Sequence, residues 1–145
     1  MNVLGIDPGK ATGYALISIG EDHKVTPRDV GVTRDMQLVE LQDIIRQADI
    51  VVYEDFLIRP DKALKGDFNW KSTEAEKVIG SLLTFCKLMG NKQVVKQQPA
   101  QRIPGFGFAG LKYKRGAKGR HWEDALAHAM FYAVRHLNAL PVDKR

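Results

Sequence analysis

The sequence of 145 residues has one cysteine and no apolar run near the roughly 18 residues that a membrane span requires. One cysteine excludes a disulfide framework. Cys86 falls on the apolar face of a predicted helix, where a buried structural thiol is expected. The amino terminus leads directly into a predicted strand and shows no signal-peptide pattern. We therefore expect a cytoplasmic protein that does not bind a membrane.

Internal repeats and a linker rich in Pro, Gly or Ser are also missing, so we expect one domain spanning residues 1–145. With 44% hydrophobic and 27% charged residues, the composition is that of an ordinary globular protein. The hydrophobic patterns predict a small α/β domain of order βββαβαβα. Strands are predicted at 2–7, 12–19, within 24–33, at 50–54 and at 92–96, and helices from about 36, at 72–89 and from 121.

Acidic residues end two of the predicted strands and lie in the first turn of the last helix. They are Asp7, Glu54 and Asp124. Burying a lone carboxylate is costly unless it is paired or coordinates an ion, and a set of carboxylate oxygens suits Mg²⁺. Each residue also has a structural interpretation. Asp7 could be a turn residue, Glu54 could pair with a lysine, and Asp124 could be present because the helix dipole stabilises a carboxylate in the first turn.

Two histidines share the last predicted helix with Asp124. His121 stands three residues earlier on the same helical face, where a neutral imidazole could bind a second metal ion or orient water. The alternative is a histidine that only begins the helix. His128, one turn after Asp124, is expected to lie behind the ligands or at the surface.

A basic, glycine-rich segment precedes that helix. Between Ile103 and Arg120 there are five glycines, three aromatic residues and no acidic residue. Its basic residues are Lys112, Lys114, Arg115, Lys118 and Arg120, and its aromatic residues are Phe106, Phe108 and Tyr113. The pattern predicts a mobile basic arm that contacts phosphates and stacks on bases, with a solvated loop as the alternative.

Three segments resemble, in chain order, the acidic motifs of the RuvC-like Holliday junction resolvases of the ribonuclease H-like superfamily. They are Gly5–Tyr14 (GIDPGKATGY), Val52–Phe56 (VYEDF) and His121–Ala129 (HWEDALAHA). The chain is most similar to the compact bacteriophage-encoded members. The resemblance implies a ribonuclease H-like fold, in which a five-stranded mixed sheet is flanked by helices on both faces.

The resemblance also implies an activity, in which a metal-dependent endonuclease cleaves four-way and other branched DNA and leaves 5′-phosphate and 3′-hydroxyl ends. Such an enzyme would act in DNA recombination and repair, in the host cytoplasm if the protein is phage-encoded. Asp7, Glu54, His121 and Asp124 would form the catalytic site. They would hold two Mg²⁺ ions, for which Mn²⁺ would substitute.

DNA contacts and a homodimer follow from the same resemblance. Lys10 and Thr12 of the first turn would approach the scissile phosphate. An aromatic residue after the second acidic motif would unstack bases, and Phe56, Phe68 and Trp70 are all candidates. The helix at 72–89 would form the dimer surface, although its apolar stripe is equally well explained as core.

Three other functions share parts of this pattern. A YqgF-type nuclease would act on RNA or on structured nucleic acid in general. An actin-like or sugar-kinase ATPase has a similar hairpin around Asp7, but it needs two such domains around a nucleotide. A catalytically silent nucleic-acid-binding module would have no use for the complete acidic set.

Overall fold

The computed structural model describes residues 1–34, 38–55, 74–90, 92–114 and 120–142. Within these ranges the strands are β1 (Asn2–Asp7), β2 (Ala11–Ile19), β3 (Val25–Arg34), β4 (Ile50–Glu54) and β5 (Gln93–Gln97). The α-helices are α1 (Gln42–Gln47), α2 (Glu74–Leu88), α3 (Arg102–Phe108) and α4 (His121–His136). Short 3₁₀ turns at Leu38–Leu41 and Pro99–Gln101 lead into α1 and α3. No described helix is both long and apolar enough to cross a membrane.

The strands form one mixed sheet in the order β3-β2-β1-β4-β5. β1, β2 and β3 follow each other as an antiparallel meander, whereas β4 runs parallel to β1 and β5 runs parallel to β4. The carboxyl ends of β1, β4 and β5 therefore meet at one edge of the sheet. This five-stranded mixed sheet is the one that the resemblance implied.

Helices cover both faces of the sheet, because the strands alternate apolar side chains between two cores. On one face, α4 packs its alanine-rich side on residues that include Val3, Ile17 and Val52. On the other, α1 and α2 pack on residues that include Leu4 and Ile6. The single cysteine, Cys86, is buried in this second core, as expected.

Glycines let α4 lie unusually close to the sheet. A Cβ atom at Gly13 of β2 would lie 2.0 Å from the backbone oxygen of His121, and one at Gly5 of β1 would lie 2.0 Å from that of Ala125. Real Cβ atoms essentially never come within 3.0 Å of another atom in this way. Any larger residue at either position would therefore push the first two turns of α4 away from the strands.

Most of the predicted elements are present, with shifted ends. β5 begins and ends one residue later than expected, and α2 ends before Gly90, whose φ of +95° suits glycine. Pro27 lies in β3, an edge strand, beside a register irregularity that accommodates it. The helix predicted from about residue 36 is only the 3₁₀ turn and the six residues of α1.

The prediction of a mobile arm from Ile103 onward is wrong for its first part. Residues up to Phe108 form α3, although the segment contains one proline and two glycines. Tertiary contact explains the helix, since Gly105 packs directly on the backbone of α4 at Ala127 and Phe106 is only 3% exposed. Burial of this kind overrides a weak helix propensity.

The close approach of α4 gives a stability prediction. Gly13→Ala should lower the free energy of unfolding by about 1–3 kcal/mol or more, because the helix backbone must move to admit the methyl group. Gly80→Ala is the matched control, since nothing lies within 4 Å of its Cβ position on α2. That change should raise stability by up to about 1 kcal/mol through helix propensity. Urea unfolding of both variants in EDTA measures the difference, and equal stabilities would contradict the packing argument.

Candidate metal centre

Three polar residues end the three parallel strands on the face that α4 covers. They are Asp7 on β1, Glu54 on β4 and Gln97 on β5. Side chains two positions apart on a strand point to the same face, and the residues two positions earlier all face α4: Val52 and Val95 pack in the α4 core, and Gly5 lies against the α4 backbone. Glu54 and Gln97 are direct partners in the β4–β5 register. The three side chains therefore form a row across adjacent strands, which we call the strand row.

A second row lies on α4, where His121, Asp124 and His128 are spaced three and four residues apart and share one helical face. This helix row meets the strand row. Nδ1 of His121 lies 2.9 Å from Oδ2 of Asp7, and Nδ1 of His128 lies 2.8 Å from Oε1 of Gln97. Nε2 of His128 is also 3.7 Å from Oε1 of Glu54.

Arg102, the first residue of α3, joins the middle of the two rows. Its Nη1 lies 3.4 Å from Oε1 of Glu54 and 3.7 Å from Oδ2 of Asp124. The side chain is 32% exposed, so it borders both the acidic residues and solvent. Sequence analysis missed this residue. Its place between a Pro-initiated turn and a short helix carried no signal, although it directly precedes the basic segment.

Burial is the main cause of the altered acidity of Asp7. It raises the pKa of this carboxyl to about 6, the hydrogen bond with His121 opposes the rise, and the neighbouring Glu54 and Asp124 add to it. Half of the Asp7 side chains would therefore carry a proton near pH 6 in the absence of an ion.

The other members of the site divide according to their partners. Burial opposes ionisation of Glu54, but the neighbouring His128 and Asp7 side chains and the charge of Arg102 outweigh it, so the pKa of Glu54 is lowered. Burial raises the pKa of Asp124 against the opposing charge of Arg102. The hydrogen bond to Asp7 raises the pKa of His121. The three carboxylates of the site thus carry more negative charge than the Arg102 guanidinium neutralises.

The donor set fits a divalent cation in chemistry, because three carboxylates and an imidazole converge where strand and helix rows meet. The side chains are not yet in coordinating positions: within the described ranges, no three His, Cys, Asp or Glu side chains form a ready-made metal site. Arg102 and His121 hold the carboxylates in ion pairs and hydrogen bonds. To bind an ion, the carboxylates would have to break these contacts with Arg102 and His121.

The expected DNA contacts at the first turn and the start of α4 are only partly accessible. Lys10 is exposed. Thr12 does not fit the prediction, because it is 1% exposed and its hydroxyl donates to the Gly9 carbonyl at 2.8 Å, which closes the turn. Arg120 is exposed but pairs with Glu123 at 3.1 Å.

In the basic segment, Lys112 and Lys114 are exposed, whereas Phe106 is buried and Phe108 packs against the α4 core. Burial therefore excludes the Phe106 ring as a stacking surface for bases, and the half-buried Phe108 ring stacks on Phe131. Tyr113, half-buried, contacts the Phe106 ring edge-on. The other predicted DNA contacts lie outside the described residues: Phe56, Phe68, Trp70, Arg115 and Lys118.

Neither a protein-family model nor a curated protein matches the sequence. Solved structures do match the fold. Thermus thermophilus RuvC bound to a Holliday junction substrate is 19% identical, with a TM-score of 0.64 over 98% of this chain and 99% of that one. RuvC of the same organism alone is 18% identical, with a TM-score of 0.65 over 97% and 99%. Fowlpox virus resolvase with Holliday junction DNA is 16% identical, with a TM-score of 0.55 over 95% and 97%.

These likenesses establish the fold of the chain, which is the ribonuclease H-like fold that the resemblance implied. Within that fold class its structural neighbours are the RuvC and poxvirus resolvases, and both match over nearly the full length of each chain.

The raised pKa of Asp7 gives a pH-dependent stability prediction. Because the folded pKa of about 6 exceeds the ordinary 3.8, ionised Asp7 destabilises the fold increasingly from about pH 4 to pH 6 and by a constant amount above. Asp7→Asn should therefore stabilise the metal-free protein by about 1–3 kcal/mol at pH 7.5 and by little at pH 4. Asp43→Asn, whose carboxylate is 88% exposed, is the control. Thermal unfolding in EDTA at both pH values measures the effect, and a destabilised Asp7→Asn at pH 7.5 would contradict the argument.

Proposed function

We propose that the chain is a metal-dependent endonuclease that cleaves four-way DNA junctions and leaves 5′-phosphate and 3′-hydroxyl ends. One ribonuclease H-like nuclease domain, residues 1–145, would carry the whole activity. Branched DNA other than four-way junctions is a further substrate class.

One observation supports the proposal above the others: Asp7, Glu54 and Asp124 lie together on the edge of this fold. The chain is otherwise basic, with a net charge of +5. A cluster of one buried and two partly buried carboxylates on such a chain has no structural use that would offset its cost. A cation site next to bound DNA would give these carboxylates a function.

Asp7, Glu54, Asp124 and His121 would hold the ions, for which we propose two Mg²⁺, with Mn²⁺ as a substitute. Bound there, divalent cations supply Lewis-acid activation of water and neutralise charge on the scissile phosphate. Asp7 must lose its proton to act as a ligand, and neutral His121 would bind through a ring nitrogen or hold the attacking water.

Arg102 would serve the metal-free and the DNA-bound states differently. In the absence of an ion, its guanidinium balances Glu54 and Asp124. Partial exposure leaves it free to turn toward solvent, where a DNA phosphate would offer a bidentate partner. It would thus exchange carboxylates for phosphate as the ions bind.

The DNA would lie along the exposed lysines beside the site, Lys10, Lys112 and Lys114, and the predicted contacts at Arg115, Lys118, Arg120, Phe56, Phe68 and Trp70 remain part of the proposal. A homodimer would match the two-fold symmetry of the junction and place one site on each of two strands. The outer face of α2 supports it, because Leu83 and Leu88 are 42% and 78% exposed there.

Cleavage of synthetic substrates tests the activity. With Mg²⁺, the protein should cut a four-way junction by paired symmetric nicks that DNA ligase can seal. Asp7→Asn should lower the cleavage rate by more than about 100-fold, because loss of a residue that only supports a metal ligand already costs about 10- to 100-fold. It should still bind the junction, since one charge that repels phosphate is removed. Asp43→Asn should cut normally.

A fork, a linear duplex and an RNA–DNA hybrid complete that substrate panel. Preference for the hybrid would favour a nuclease of the RNA-processing type. Binding without cleavage of any substrate would leave a silent nucleic-acid-binding module, and cleavage by Asp7→Asn at the wild-type rate would exclude the metal site.

Salt dependence tests the DNA surface separately. Lys112→Ala/Lys114→Ala should weaken junction binding and reduce the slope of log K against log salt by about 1.8, or about 0.9 for each phosphate contact. Lys24→Ala/Arg28→Ala removes two charges at the opposite end of the strands and should leave the slope unchanged. Equal slopes for both double variants would place the DNA elsewhere.

A further inference from the structure

His128 is the most deeply buried polar residue on α4, with an exposure of 0%. A buried imidazole requires a partner for each nitrogen. Nδ1 has one in the Gln97 amide at 2.8 Å, whereas Nε2 makes no hydrogen bond to any described residue. Nε2 points toward Oε1 of Glu54, 3.7 Å away, which is too long for a hydrogen bond.

Gln97 leaves a second buried atom unpaired. This residue is 4% exposed, and its Nε2 also lacks a hydrogen bond within the described structure. Amide oxygen and nitrogen exchange places on a half-turn of the group. In the turned orientation, the amide N–H of Gln97 donates to Nδ1 of His128. The neutral imidazole then carries its proton on Nε2, where it faces the Glu54 carboxylate.

Glu54 therefore has two partners of different kinds on the same oxygen. Arg102 reaches Oε1 from a short helix and is 32% exposed, so it can leave. His128 is enclosed by the sheet and α4, and Gln97 holds its other nitrogen. When Arg102 departs, His128 remains as the donor to this carboxylate.

We propose that His128 and Gln97 are positioning residues, which fix the Glu54 carboxylate in the orientation that a divalent cation requires. The inference rests on the metal site of the proposed function and adds two residues behind it. The Gln97 amide sets the tautomer of His128, and the Nε2–H of His128 sets the rotation of the Glu54 carboxylate. Partners of this type commonly orient metal ligands.

Amide substitutions at position 128 separate the two nitrogens of the ring. His128→Gln can place an amide N–H near the position of Nε2 and so retain a donor toward Glu54. His128→Asn can replace only the Nδ1 side, which faces Gln97. His128→Leu removes both. Comparing Gln with Asn holds the chemistry of the group constant and changes only its reach.

The measurement is Mn²⁺ binding to the full-length protein without DNA, by isothermal titration calorimetry, with Asp7→Asn as the variant that lacks a ligand. His128→Asn and His128→Leu should bind Mn²⁺ about 10- to 100-fold more weakly than wild type, and His128→Gln should stay within a few-fold. Gln97→Met should weaken binding less than His128→Asn. Thermal unfolding in EDTA checks that the Asn and Gln variants are equally folded.

The outcomes separate this inference from the function on which it rests. Equal Mn²⁺ affinities of folded His128→Asn, His128→Gln and wild type, with weak binding by Asp7→Asn, would leave the metal site intact and overturn the positioning role. Failure of wild type to bind Mn²⁺ would overturn both. In the cleavage assay, a positioning role should raise the Mg²⁺ concentration for half-maximal rate in His128→Asn, and a purely structural role should not.

Discussion

The distance between α4 and the strands that begin the chain is the constraint on which the site depends. Gly5 and Gly13 leave room for helix backbone where any side chain would collide at about 2.0 Å. Gly105 does the same between α3 and α4, at 2.1 Å from the carbonyl of Ala127. Because α4 lies this close to the sheet, His121 contacts Asp7, which is 114 residues away in the sequence. The same packing brings α3, and with it Arg102, to the edge where the strands end.

The two polar rows convert this packing into uneven electrostatics. Asp7 and Glu54 are neighbours on adjacent strands, yet the pKa of Asp7 is raised and that of Glu54 is lowered. Both Arg102 and the nearby His128 favour ionised Glu54, whereas Asp7 has only the His121 ring. The site therefore holds one carboxylate whose ionised form is favoured and one in which burial favours the bound proton. A divalent ion would compete directly with that proton, as metal binding and ligand protonation generally do.

Sequence patterns were sufficient for the strands and for the carboxylates of the site, and insufficient for the residues around them. Asp7 and Glu54 stood out because carboxylates are rare at the end of apolar strands. Gln97 occupies the same position on β5, but a neutral amide carries no such signal. Arg102 meets Glu54 only through a contact between residues 48 apart in sequence, which no local pattern contains. The helix at 102–108 was missed because its proline and glycines indicate a loop, and only its contact with α4 makes it helical.

The histidine behind Glu54 explains how a small domain can keep such a site folded. A buried carboxylate with only an exchangeable partner would be left unpaired each time Arg102 turned away, and an unpaired buried charge is strongly destabilising. His128 is fully buried, so in the proposed arrangement it would stay beside Glu54 when Arg102 turns away. The α4 core also contains three alanines, Ala125, Ala129 and Ala133, which let the helix pack closely on the sheet. The close packing of α4 that brings the two polar rows together is thus also the packing that holds His128 beside Glu54.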